Sequence, residues 1–144
     1  MILEFMRDDH RACDVFYTEA ENALAEKKVD EALSHFDQFY RATNLHFDME
    51  ERELFIAFEK RTGMMGGPTQ MMRYEHQQLR SLLESMKSAL AETRYNDFFG
   101  IGESMMIMLQ QHNMKEEQML YPMIDRAMGD DGEEMIRKLK EMGQ

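Results

Sequence analysis

Five histidines stand in this 144-residue chain, and four of them fall into a pattern with glutamate. His10 and His76 stand alone in their segments, whereas His46 and His112 each open an H-x-x-x-E phrase that closes on Glu50 and Glu116. Positions four apart on a helix share a face, so each phrase aims an imidazole and a carboxylate at neighbouring points. Nitrogen and oxygen donors without thiolate form a set that suits iron, with manganese or zinc as alternatives.

The pattern is a repeat. His46-x-x-x-Glu50-Glu51-x-x-Leu54-Phe55 aligns with His112-x-x-x-Glu116-Glu117-x-x-Leu120-Tyr121 at an offset of 66 residues, and Asp9-His10 aligns with Glu75-His76 at the same offset. A repeat that served only the core would keep its apolar stripe, with less reason to keep His and Glu inside it.

The elements that must position these residues are helices. Leu3, Met6, His10, Cys13, Tyr17, Ala20 and Leu24 recur at three- and four-residue steps, predicting a helix over about residues 2–27. A second stripe runs through Ala32, Phe36, Phe39, Thr43, His46, Glu50 and Leu54 toward Phe58, and the breaker cluster Gly63 to Pro68 follows it. Pro68 suits the first turn of a third helix, whose stripe is Met72, His76, Leu79, Leu83, Met86 and Leu90. The fourth stripe is Phe98, Ile101, Met105, Met108, His112, Glu116 and Met119, continuing to Met123, with Pro122 expected to kink or unwind it. A short charged helix over Glu133 to Met142 closes the chain. The expected fold is all-α, an up-down-up-down four-helix bundle with a short C-terminal helix. Residues 1–144 read as a single domain, internally duplicated as helical hairpins over about 1–62 and 68–129.

Spacing also predicts height. With turns centred near Lys28 and Arg94, each of the four histidines lies 18 residues from its turn, about 27 Å along a helix. Antiparallel packing then brings His10, His46, His76 and His112 to one level, with Glu50 and Glu116 one turn beyond. Six polar groups inside a bundle need satisfying, and two adjacent carboxylates repel unless a cation lies between them. Two divalent metals meet both needs and leave coordination positions open, whereas a purely structural metal is closed by its ligands. A single core-facing histidine is ordinarily a satisfied polar residue; four at one height, with two carboxylates, are not. His35 lies off the stripe and reads as a partly exposed bystander, and Cys13 as a small core residue. Tyr17, Tyr40, Tyr74 and Tyr121 are all candidates to hydrogen-bond a bound ligand, and the sequence does not choose among them.

Composition narrows the setting. Seventeen basic against 28 acidic side chains leave a net charge of −11, a poor surface for nucleic acid or an anionic membrane. One cysteine excludes an intrachain disulfide and a four-thiolate metal site. No apolar run reaches membrane-span length and the N-terminal residues carry no signal-peptide pattern, so a cytoplasmic location is expected.

A lone His, H-x-x-x-E, a lone His and H-x-x-x-E, in that order over roughly residues 1–129, resemble the hemerythrin family and specifically the hemerythrin-like HHE cation-binding domains. The resemblance implies two non-haem iron ions, oxo- or hydroxo- and carboxylate-bridged, held by His10, His46, Glu50, His76, His112 and Glu116. The family's oxygen carriers have a further histidine where this chain has Arg80, and an Asp five residues after the fourth-helix His where this chain has Glu117. Arg80 either pairs inward with a glutamate or faces solvent; Glu51 and Glu117 lie toward the seam or solvent, one of them available as a further ligand or hydrogen-bond partner. The four-His, two-Glu set is instead similar to the family's iron-centre repair, nitric-oxide response and sensing members. The expected function is a di-iron protein, monomer or homodimer, that binds or senses dioxygen or nitric oxide, or handles iron under stress. A di-iron oxidase or peroxidase, an iron-centre repair factor and a metal-free helical interaction module are the alternatives.

Overall fold

The computed structural model describes residues 1–144, all of them helical or in short turns. Helix α1 spans Ile2–Ala25 and α2 spans Val29–Met49; α2 continues through one π turn, Glu50–Leu54, into α3, Phe55–Thr62. The second hairpin repeats this plan with α4, Pro68–Ala91, and α5, Tyr95–Lys115, then a π turn, Glu116–Leu120, and α6, Tyr121–Met128. A 3₁₀ turn, Gly129–Asp131, leads into α7, Gly132–Met142. The architecture is the expected all-α four-helix bundle with a short C-terminal helix. No helix is long and apolar enough to cross a membrane.

Both hairpin turns close on a left-handed residue, Lys27 with φ 63° and Thr93 with φ 59°. In each, paired backbone bonds reach back over the helix end: Lys27 N–H to Leu24 and Lys28 N–H to Ala23, then Thr93 N–H to Leu90 and Arg94 N–H to Ala89. This is the Schellman closure, here built without glycine. The turns therefore centre on Lys27 and Thr93, one residue earlier than the sequence spacing assumed.

The two hairpins grip each other at their far ends. Asp125 of α6 accepts from the backbone N–H groups of Ile2 (2.9 Å) and Leu3 (3.1 Å), placing a carboxylate where the α1 dipole favours one. Sixty-six residues earlier, Glu59 of α3 accepts from the Thr69 hydroxyl at 2.6 Å and from Arg73 in the opening turns of α4.

The apolar interior is divided in two. Toward the hairpin turns, Tyr17, Phe36, Phe39, Leu83, Met86 and Phe98 belong to a cluster of 16 buried residues. Toward the other end, Ile2, Met6, Leu54, Phe55, Tyr121 and Ile124 belong to a second cluster of 13, which Met135 and Leu139 of α7 help to close. The four histidines and two glutamates lie between these layers.

The π turns correct one expectation. Beyond Glu116 the inward face runs through the buried Leu120 and Ile124, whereas Met119 is 64% exposed and Met123 only half-buried. Buried residues at 46, 50, 54 and 58, and again at 112, 116, 120 and 124, step by four. Each such step drifts about 40° around an α-helix. A wider turn absorbs that drift: Phe55 N–H bonds to Glu50 and Tyr121 N–H to Glu116, five residues back. Pro122 follows the second π turn without causing it, because Ile56 holds the corresponding position after the first.

Gly102 sits where the first hairpin has Phe36, and a Cβ there would lie 2.5 Å from the Tyr17 hydroxyl and 3.3 Å from Met86 Cε. Gly102→Ala is expected to lower stability by about 1–3 kcal/mol through overpacking. Gly100→Ala, where a Cβ meets open space, is expected to raise it by about 0.5–1 kcal/mol. Urea unfolding of the two variants checks the difference in sign.

Candidate metal centre

Each of the four bundle helices delivers one histidine, and all four imidazoles are at most 4% exposed. What fixes them is a carboxylate on every Nδ1. His10 bonds Glu117 at 2.8 Å, His46 bonds Asp9 at 2.7 Å, His76 bonds Glu51 at 2.6 Å and His112 bonds Glu75 at 2.8 Å. An imidazole that donates from Nδ1 presents Nε2 as a lone-pair donor, so four Nε2 atoms are committed to the interior. The supports obey the same offset as the ligand pattern: Asp9 with Glu75 and Glu51 with Glu117, 66 apart. Asp9 and Glu75 serve histidines of their own hairpins, whereas Glu51 and Glu117 reach histidines of the opposite one.

Glu50 and Glu116 are fully buried between these imidazoles. Each turns one oxygen to either side. Glu116 Oε1 lies 3.2 Å from His10 Nε2 and Glu116 Oε2 lies 3.3 Å from His112 Nε2. Glu50 Oε1 lies 3.0 Å from His76 Nε2, and Glu50 Oε2 accepts from the Tyr121 hydroxyl at 2.7 Å. This is the disposition of carboxylates that bridge two positions. Two sets of donor atoms, each within 4.8 Å of one another, result: Glu50, His76, His112 and Glu116, and His10, His46 and Glu116.

In the first set, Glu50 Oε1, His76 Nε2, His112 Nε2 and Glu116 Oε2 are buried and lack any aligned hydrogen-bond partner. The close approach of His76 to Glu50 is a contact without hydrogen-bond alignment, as expected of donors aimed at a common point. Four unsatisfied acceptors converging in an apolar interior fit a cation and little else. A family model described as Hemerythrin HHE cation binding domain matches residues 1–124. The chain belongs to that family. No curated protein and no solved structure matches it.

The hemerythrin-family cluster carries a marked electrostatic imbalance when metal-free. Burial works against charging His46, His76 and His112, but the facing carboxylates outweigh it and raise all three, His112 to about 9. Burial, and then the Glu116 charge, raises Glu50. Glu116 falls well below the usual carboxylate range because His112, Glu50 and His10 outweigh its burial. Protons thus occupy the cluster where positive metal ions would otherwise sit.

Around the cluster the remaining sequence expectations resolve. Arg80 is half-buried outside it, donating to Asn44 (2.6 Å) and Asp48 (3.1 Å), lying 3.6 Å from Glu51 and stacking over Phe47. It pairs with a glutamate, but with the support of His76 and not with the buried pair. His35 is half-exposed beside Gln38 and Glu19. Cys13 is buried, its thiol pushed up to about 12 by burial and by Asp9. Among the tyrosines, Tyr121 alone enters the cluster, its hydroxyl contacting Glu50, Glu116, His10 and His46. The supporting roles of Asp9 and Glu75 were not assigned from sequence, although their recurrence beside His10 and His76 was the available signal.

The raised histidines set a pH dependence. A folded-state pKa above the unfolded value stabilises below the unfolded pKa, and that stability is lost as pH rises through the folded one. Metal-free protein should therefore lose stability from about pH 6.5 through 9, where His112 gives up its proton. Glu75→Gln should lower the His112 titration midpoint. Urea unfolding against pH and the imidazole NMR shifts of His112 measure both.

Proposed function

We propose that the chain is a non-haem di-iron protein that binds dioxygen or nitric oxide beside His10 and His46. His76 and His112 would hold one iron, His10 and His46 the other, with Glu50 and Glu116 shared. The reading rests above all on the four unpartnered acceptor atoms aimed at one point. Iron bound there would supply redox electrons and open coordination positions for a diatomic molecule.

The chain's own residues prepare that site. Four outward carboxylates lock the imidazole rings, so little reorganisation accompanies binding. The aromatic and aliphatic layers on either side keep bulk water from the cluster. Beside His10 and His46 lies a cavity of about 10 Å³, also lined by Cys13, Thr43, Phe47, Leu109 and Asn113. That space takes one water-sized molecule, which suits a diatomic ligand and excludes a bulky organic substrate. Thr43 Oγ1 and Asn113 Oδ1 line it without hydrogen-bond partners, leaving the Thr43 hydroxyl free to donate to an occupant. The high pKa of Cys13 keeps it a neutral thiol in this wall.

Anaerobic loading should retain close to two irons per chain, and adding dioxygen or nitric oxide should change the optical spectrum. His46→Ala and Glu116→Ala should each lower retention; unchanged retention in both would rule the reading out. Asp9→Asn and Glu75→Gln, which only loosen the rings, should weaken iron binding by about 10–100-fold, measured by competition with a chelator.

A further inference from the structure

The two halves of the cluster are not equivalent, and one hydroxyl makes the difference. The corresponding ring positions 66 residues apart are Phe55 and Tyr121. Phe55 lies beside His76 with centroids 5.8 Å apart, and Tyr121 lies beside His10 at 5.7 Å, so the rings play matching packing roles. Phe55 ends in carbon, and the four acceptors of its half are left bare. Tyr121 ends in oxygen, and that oxygen meets the three residues of the other set, His10, His46 and Glu116, together with the second oxygen of Glu50. It lies 2.7 Å from Glu50 Oε2, 3.0 Å from Glu116 Oε1, and 3.2 Å from both His10 Nε2 and His46 Nε2.

A phenol carries one proton. In the metal-binding state the imidazoles are neutral; with each Nδ1 donating to a carboxylate, the four groups around Tyr121 Oη are then two imidazole lone pairs and two carboxylate oxygens. One O–H cannot satisfy four acceptors. The spacing is instead that of neighbouring donors on a common ion: donors at about 2.1 Å from a metal lie about 3 Å apart when adjacent. Resting on the di-iron reading, we propose that Tyr121 is a seventh protein ligand, its phenolate oxygen binding the metal held by His10 and His46. On binding, the O–H bond breaks, an oxygen–metal bond forms, the proton leaves to water, and no oxidation state changes. The two metal positions are thereby unequal: one carries an anionic protein oxygen that the other lacks. The cavity beside His10 and His46 is lined by Cys13 and Thr43 and not by Tyr121.

The test is the resonance Raman spectrum of the full chain after anaerobic ferrous loading and oxidation to ferric iron. The expected result is a visible phenolate-to-iron charge-transfer band whose enhanced ring modes shift when the protein is grown on ring-deuterated tyrosine. Tyr121→Phe should abolish both band and modes, and its second equivalent of iron should bind at least about tenfold more weakly while the first is unchanged. Wild-type protein holding two irons without tyrosine modes overturns the ligand assignment and leaves the di-iron reading standing. Modes that persist in Tyr121→Phe also overturn it. Wild-type protein that retains no iron overturns both.

Discussion

The structure turns on the outward bond of each buried histidine. An imidazole inside a bundle can rotate to bury either nitrogen, and only a fixed partner on one decides what the other offers. Here Glu117, Asp9, Glu51 and Glu75 hold Nδ1 in His10, His46, His76 and His112, and every Nε2 faces inward. Without those four bonds the interior would hold mobile polar rings between two apolar layers. With them it holds a preformed arrangement of lone pairs. Glu50 and Glu116 then have little freedom: Glu116 sets its two oxygens against His10 and His112, and Glu50 sets one against His76 and the other against the Tyr121 hydroxyl.

That constraint accounts for the helix irregularities. A helix that must present His, Glu, Leu and Phe or Ile inward at successive four-residue steps cannot stay α-helical and keep one face. The π turns at Glu50–Leu54 and Glu116–Leu120 reconcile the steps with the bundle axis. They also set the rings of Phe55 and Tyr121 against His76 and His10. The same turns rotate Glu51 and Glu117 so that each spans the seam to the opposite hairpin, joining the hairpins through the site as well as through the core.

Much of the centre was legible as pattern. His10, His46, Glu50, His76, His112 and Glu116 follow from the offset of 66 and the helical period, and they converge in the interior. The support given by Glu51 and Glu117 was half legible, because a second acidic residue follows each H-x-x-x-E phrase. The stripe through Met119 was misread because a uniform period was carried across a place where the helix widens. Pro122 drew attention as a breaker, yet the equivalent turn forms without it. Neither error reached the ligand pattern, which ends on the first residue of each π turn, Glu50 and Glu116.

The amino-acid sequence by itself determined the helices, their pairing into two similar hairpins and the level at which the polar side chains meet. These depend on spacing along one chain, and helical rise converts spacing directly into position. Only the tertiary structure decided which carboxylate holds which ring, that Arg80 stays outside the cluster, and that Tyr121 rather than Tyr17, Tyr40 or Tyr74 enters it. Those outcomes depend on distances between helices and on side-chain rotation across the seam. A phenylalanine and a tyrosine at equivalent positions look alike as core residues. The second becomes a polar participant because packing brings its hydroxyl to four donor atoms from α1, α2 and the two π turns.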